Sequence, residues 1–256
     1  MHKAEPIADA LQALHSRIAR AEQAAGRPAH SVQLLAVSKT FGVDAVRAAI
    51  AAGQRAFGEN YVQEGVEKIL ALGEQTPSLS WHFIGPLQSN KTRLVAQHFD
   101  WVHGVASERI ALRLAEQRPP ERAPLQVCIQ VNISGEASKS GCEPEKATEL
   151  VCQLATHAGL ERALCLRGIM VIAQASEESA IVRAQFAQTR ALFETIRARL
   201  EAIKSPSCQS WDTLSMGMSN DLEDAIAEGA TLVRVGSAIF GARSPLPTPP
   251  VLSSPA

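Results

Sequence analysis

A chain of 256 residues with 46% hydrophobic content can bury a sizeable core, as one large domain or two small ones. Its formal net charge of −1 lacks the basic excess of a nucleic-acid-binding surface, and its five cysteines are scattered, odd in number and without a CxxC pair. Neither a disulfide framework nor a zinc site is suggested, and a reducing compartment is expected. No apolar stretch spans a bilayer, and Glu5 and Asp9 interrupt the N-terminus, so the expectation is a soluble, cytoplasmic protein with neither membrane nor nucleic acid as partner.

In chain order, Ile7, Leu11, Leu14 and Ile18 share one face of an opening amphipathic helix that ends near Gly26-Arg27-Pro28. Short apolar runs then recur at about 32–37, 55–57, 81–84, 100–103, 125–132, 164–172, 212–215 and 231–235. Each is brief and bounded by Gly, Asn, Pro or Asp, as strands are. Helical patterns fill the gaps, most clearly within 177–203, where Leu192, Ile196, Leu200 and Ile203 repeat at helical spacing. Eight strands alternating with helices predict a single (β/α)8 TIM barrel over 1–243, with a doubly wound open sheet as the alternative. The Pro- and Ser-rich tail 244–256 is expected to be disordered.

A barrel carries its functional residues at the C-terminal ends of its strands, with phosphate often bound after strands seven and eight. Ser215-Met216-Gly217-Met218-Ser219 and Gly236-Ser237 fall at those two places. Gly236 allows close backbone approach, and the Ser237 and Ala238 N–H groups at a helix start suit an anion. Ser219 is equally readable as a plain N-cap before Asn220-Asp221-Leu222-Glu223. Lys39 ends the run Leu34-Leu35-Ala36-Val37-Ser38 at the mouth of strand one; it is either a solvated loop lysine or a desolvated amine competent toward an aldehyde. Arg234, flanked by Val233 and Val235, needs a buried acceptor: an ion pair inside the barrel, or a ligand's ring nitrogen, phosphate or carboxylate. A ligand using both an amine anchor and a phosphate cradle carries an aldehyde and a phosphate, and pyridoxal 5'-phosphate (PLP) is the common molecule of that description.

The segments AVSKT (36–40), FGENYVQE (57–64), WHFIGPLQSNK (81–91), VNISGEASKSG (131–141), RGIM (167–170) and LSMGMSNDLEDAIAEGATLVRVGSAIFGAR (214–243) resemble, in order, the signature of the pyridoxal phosphate homeostasis protein family. That family is related to the N-terminal barrel of alanine racemase, a fold-type III PLP architecture. The resemblance implies that Lys39 is the Schiff-base lysine, with Asn60 beside the cofactor. It sets Ser215, Ser219, Gly236 and Ser237 around the phosphate and Arg234 at the pyridine nitrogen. His82, Met170 and Met216, within the same motifs, are further candidates for the cofactor's surroundings. Ala173 stands where family members usually have Pro, which implies a slightly altered loop at the mouth.

An arginine at the ring nitrogen disfavours its protonation and weakens the ring as an electron sink. Alanine racemase also carries a second domain with a tyrosine acid/base, whereas the only tyrosine here is Tyr61. The resemblance therefore implies a protein that binds, buffers and delivers PLP, with PLP-dependent apoenzymes as the partners it would serve, no catalytic residue of its own and no metal. Two other readings stand beside it. One is a PLP-dependent racemase or deaminase whose missing base comes from Tyr61, His82 or a partner subunit. The other is a Schiff-base aldolase that uses Lys39 without PLP, ranked last because aldolase lysines more often sit on later strands. Lys91 and Lys139 suggest solvated lysines near the mouth rather than a second, looser PLP site.

Overall fold

In the computed structural model, which describes residues 4–73, 79–176 and 178–241, eight parallel strands close into a barrel in sequence order. They are β1 (Gln33–Val37), β2 (Ala56–Glu59), β3 (Ser80–Phe83), β4 (Trp101–Val105), β5 (Leu125–Gln130), β6 (Leu164–Met170), β7 (Thr213–Ser215) and β8 (Leu232–Val235). Each coincides with one of the eight apolar runs. β1 and β8 pair from Gln33 with Leu232 to Ala36 with Val235, and that closure rules out the open sheet. The tail 244–256 lies outside the described residues. Among the described residues, no helix is long and apolar enough to cross a membrane.

The helices are α1 (Ala4–Ala24), α2 (Val43–Ala51), α3 (Val62–Leu72), α4 (Thr92–His98), α5 (Glu108–Gln117), α6 (Pro144–Thr156), α7 (Ser179–Ala202), α8 (Ser207–Ser210), α9 (Leu222–Ala227) and α10 (Ser237–Phe240). Those following β7 and β8 have only 6 and 4 residues, too few to cover their sector of the sheet. α1 supplies the missing wall. Its Ile7, Leu11, Leu14 and Ile18 are buried, it packs against α2, α9 and α10, and each such side chain contributes about 1.5–3 kcal/mol. Buried Glu22 ties the end of α1 to β1, accepting the backbone N–H groups of His30 and Val32 at 3.1 and 2.8 Å.

On α7 the buried stripe is Val182, Phe186, Thr189, Phe193, Ile196 and Leu200. Leu192 and Ile203, expected in that stripe, are half-buried at its margin. The two large phenylalanines turn the helix so that they, and not Leu192, fill the space against the barrel.

Barrel lumens of this fold are usually packed with bulky branched side chains. Here Leu35, Ala56 and Leu232 form a buried apolar cluster of their own with Ile84 against it. Elsewhere His82 stacks on Trp101 with ring centroids 5.0 Å apart, and the Arg167 guanidinium lies 4.6 Å from the centre of the same indole. Arg167 pairs with Asp212 at 2.6 Å, below the start of β7. A register shift sits between Val127 and Cys128 where β5 meets β6. On its other side, β6 packs so closely on β7 that a Cβ on Gly168 would lie 1.7 Å from the Thr213 carbonyl oxygen.

Candidate functional site

At the C-terminal ends of the strands a cavity of about 730 Å³ opens, lined by residues at or beyond the ends of β1, β2, β3, β5, β6, β7 and β8. This size falls in the ordinary range for small-molecule sites. Lys39, Asn60, Ser219, Arg234, Gly236 and Ser237 all line it, as does Met170. Ser215, Met216 and His82, expected around the same ligand, are fully buried and do not line it. Lys139 reaches the rim and donates to the Ala173 carbonyl at 2.9 Å. Ala173 itself is buried in the lining. Exposed Lys91 ends a short 3-10 turn (Ser89–Lys91) away from the lining.

Lys39 sits in the turn between β1 and α2, half-buried. The residues on either side of it are held by one ionic cluster. Lys68 on α3 is 3% exposed, and its ammonium donates to the Ser38 carbonyl, to Glu59 and to Glu64, each at 2.7 Å. The Ser38 hydroxyl donates to Glu59 at 2.6 Å, and the Thr40 N–H donates to Glu64 at 2.6 Å. Thr40 has φ +69°, a left-handed backbone that a β-branched residue adopts only under external constraint. Burial lifts the Glu59 carboxyl above its usual range, against the opposing pull of Lys68. Its second oxygen is buried without a hydrogen-bond partner among the described residues.

Arg234 rises from the middle of β8 and is 5% exposed. It donates from Nη1 to the Ser215 carbonyl at 2.6 Å and to the Ser215 hydroxyl at 2.8 Å, and from Nη2 to the Val171 carbonyl at 2.7 Å. These hydrogen-bond acceptors are neutral, so the expected alternative of a barrel ion pair does not describe it. Burial draws its pKa down to about 10, which leaves it a cation at neutral pH. Its Nε–H and second Nη2–H remain for a ligand acceptor in the cavity it lines.

The opposite end suits an anion. Ser237 and Ala238 supply the first N–H groups of α10, which have no partner inside a helix. A Cβ on Gly236 would lie 3.0 Å from the Val37 carbonyl oxygen. Ser219 is not the cap of α9; that position belongs to Asp221, whose carboxylate accepts the Met218 N–H. Ser219 occupies the preceding turn and faces the cavity. On the remaining wall, the Asn60 side-chain oxygen is a buried acceptor with no partner among the described residues. Asn60 is fixed by Gly85, where a Cβ would lie 2.2 Å from the Asn60 carbonyl oxygen.

An amine, a donor-only cation, an orphaned acceptor and helix-start N–H groups on one cavity fit the aldehyde, ring nitrogen, polar substituents and phosphate of PLP. The sequence reading missed Lys68, Glu64 and His103. Their signals were available: Glu64 and Lys68 stand four apart on α3, and His103 alternates with Trp101 along β4.

With this barrel and this cavity, the chain belongs to the alanine racemase N-terminal domain family, which its sequence matches over residues 10–244. Its relatives make the placement narrower. It is 51% identical over 238 residues to the pyridoxal phosphate homeostasis protein of Vibrio cholerae, covering 91% of this chain and 94% of that one. It is 52% identical over 240 residues to the pyridoxal phosphate homeostasis protein of Pseudomonas aeruginosa, covering 93% and 96%. Among solved structures, PipY of Synechococcus elongatus with PLP bound superposes with a TM-score of 0.76 at 38% identity, over 92% of this chain and 100% of that one. The alanine racemase of Corynebacterium glutamicum shares the fold, with a TM-score of 0.64 at 15% identity; 93% of this chain covers 62% of that one.

Proposed function

We propose that this protein binds PLP covalently through Lys39 and acts as an intracellular buffer of the cofactor, passing it to PLP-dependent apoenzymes. The observation that carries the reading is the convergence of Lys39, Arg234, Gly236 and Ser237 on one cavity. The names and the bound PLP of its relatives agree with it. PLP supplies an aldehyde carbon that an amine attacks, forming a carbon–nitrogen double bond with loss of water. The Lys68 cluster orients the Lys39 turn; Arg234 would donate to the cofactor's ring nitrogen, Asn60 would accept from a ligand donor, and Ser219, Gly236 and Ser237 would hold the phosphate. All five cysteines carry free thiols, which suits a cytoplasmic setting.

Carriage is favoured over racemisation or deamination by the placement of the two residues that would supply a second base. Tyr61 is 58% exposed and His82 fully buried, and neither lines the cavity. The visible absorption of the purified protein, before and after borohydride, with peptide mapping of the reduced adduct, tests the reading. A band that vanishes on reduction, with the label on Lys39, supports it. Lys39→Ala is expected to abolish the fixed adduct and leave the fold intact. A colourless protein that takes up no added PLP would overturn the reading in favour of cofactor-free Schiff-base chemistry.

A further inference from the structure

We propose that His103 and His82 are positioning residues for Arg234, held as neutral Nε2–H tautomers in a one-way hydrogen-bond chain from the guanidinium to Ser80. The chain crosses the barrel. The Ser215 hydroxyl lies 2.8 Å from Arg234 Nη1 and 2.9 Å from His103 Nδ1; His103 Nε2 lies 2.9 Å from His82 Nδ1; His82 Nε2 lies 2.9 Å from the Ser80 hydroxyl. Both rings are fully buried.

Its direction follows from one fixed end. A guanidinium only donates, so the Ser215 oxygen accepts from Arg234 and its own hydrogen is left to donate. His103 Nδ1 is the acceptor within reach, which makes that nitrogen bare and puts the ring's proton on Nε2. That proton goes to His82 Nδ1, and the His82 Nε2–H in turn goes to Ser80. Reversing any link sets two hydrogens against one another or leaves a buried donor unpaired, at a cost of about 1–3 kcal/mol. Burial, together with Arg234 and Arg167 on either side, keeps both rings uncharged.

The consequence concerns Arg234. Ser215 supplies two of its acceptors, and drawing the hydroxyl hydrogen to His103 turns the oxygen's lone pairs toward the guanidinium. The histidines thus fix the cation that β8 aims into the cavity. Ser215 is committed to this chain and has no hydrogen to offer a phosphate. The bearing on cofactor binding rests on the PLP reading above; the tautomers do not.

Histidine-selective ¹⁵N NMR of the full chain at neutral pH decides the chain directly. Both rings are expected with Nδ1 bare and Nε2 protonated; an Nδ1–H form or a charged ring at either residue overturns the proposal, whether or not PLP binds. PLP titration of Ser215→Ala, His103→Leu and the double variant then reads the positioning. Each single change is expected to weaken PLP by about tenfold, and the double no further than either, since both cut the same chain. Full PLP affinity in either folded single variant, or losses that multiply in the double, would overturn it. If His103→Leu does not fold, Ser215→Ala, which removes one oxygen, carries the test alone. An unmutated chain that takes no PLP would defeat the cofactor reading and leave the tautomers to judge the relay.

Discussion

The Lys68 ammonium donates to the Ser38 carbonyl at 2.7 Å, so the residue before Lys39 is held by the helix that follows β2. The same nitrogen holds Glu64, which holds the Thr40 N–H. The turn between β1 and α2 is thereby fixed on both sides of its lysine by side chains of α3 and β2, beside its own Phe41 N–H bond to the Ser38 carbonyl at 3.1 Å.

Lys68→Met is expected to lower stability by about 3–5 kcal/mol, because it strands Glu59 in the interior without its cation. Urea denaturation reads that loss. The rate of borohydride-trappable PLP attachment at Lys39 is expected to fall with it, since Ser38 and Thr40 lose their common anchor. Stability lost with an unchanged attachment rate would separate the cluster from the loop.

Thr40→Gly is expected to act in opposite directions on the two properties. Relief of a left-handed β-branched residue stabilises by about 1–2 kcal/mol, set against the roughly 1 kcal/mol by which glycine loosens the unfolded chain. Thermal unfolding is therefore expected to change little or rise. The freer turn is expected to slow attachment of PLP to Lys39 severalfold.

Two buried imidazoles and one buried carboxyl give opposite pH dependences. His82 is pushed down to about 3 and His103 well below its usual value, both mainly by burial. The unfolded chain takes up protons there that the native one refuses. Stability from these two groups is full above the ordinary histidine value of about 6.5, and falls by up to about 1.4 kcal/mol per ring for each pH unit toward acid. Glu59 is raised, so its contribution is full at low pH and is lost as pH rises from the ordinary glutamate range through its folded value. Urea midpoints measured across pH are expected to flatten on the alkaline side in Glu59→Gln and on the acid side in His103→Leu.

Gly85→Ala is expected to destabilise the barrel by about 1–3 kcal/mol, the usual cost of overpacking. The added Cβ would overlap the Asn60 carbonyl oxygen, 2.2 Å away, and push the Asn60 wall into the cavity. PLP titration is expected to show weaker binding in this variant, while Gly42→Ala, where a Cβ meets nothing within 4 Å, leaves affinity unchanged.

The strands and the major helices were legible because each is a local pattern. The apolar runs are short and bounded by turn residues, and Ile7, Leu11, Leu14 and Ile18 repeat at helical spacing. Lys39, Gly236 and Ser237 could also be found, since the ends of strands one and eight mark them and the fold brings strand ends to one face; Arg234 stood out as a charge between Val233 and Val235. Other features depended on partners distant in sequence. Closure of β1 on β8 joins residues about 200 apart, as Gln33 with Leu232, and no periodicity carries that information. Ser215 and Ser219 are both serines of one turn motif, yet one is drawn inward by Arg234 and His103 while the other faces the cavity. Lys68 reads as a surface lysine until Ser38, Glu59 and Glu64 surround it. Sequence alone determined which residues could be chemical, because side-chain type and local period are written in it. Only the tertiary structure decided which of them reach the cavity and which hold the others in place, because buried hydrogen bonds are formed by elements that meet only when the barrel closes.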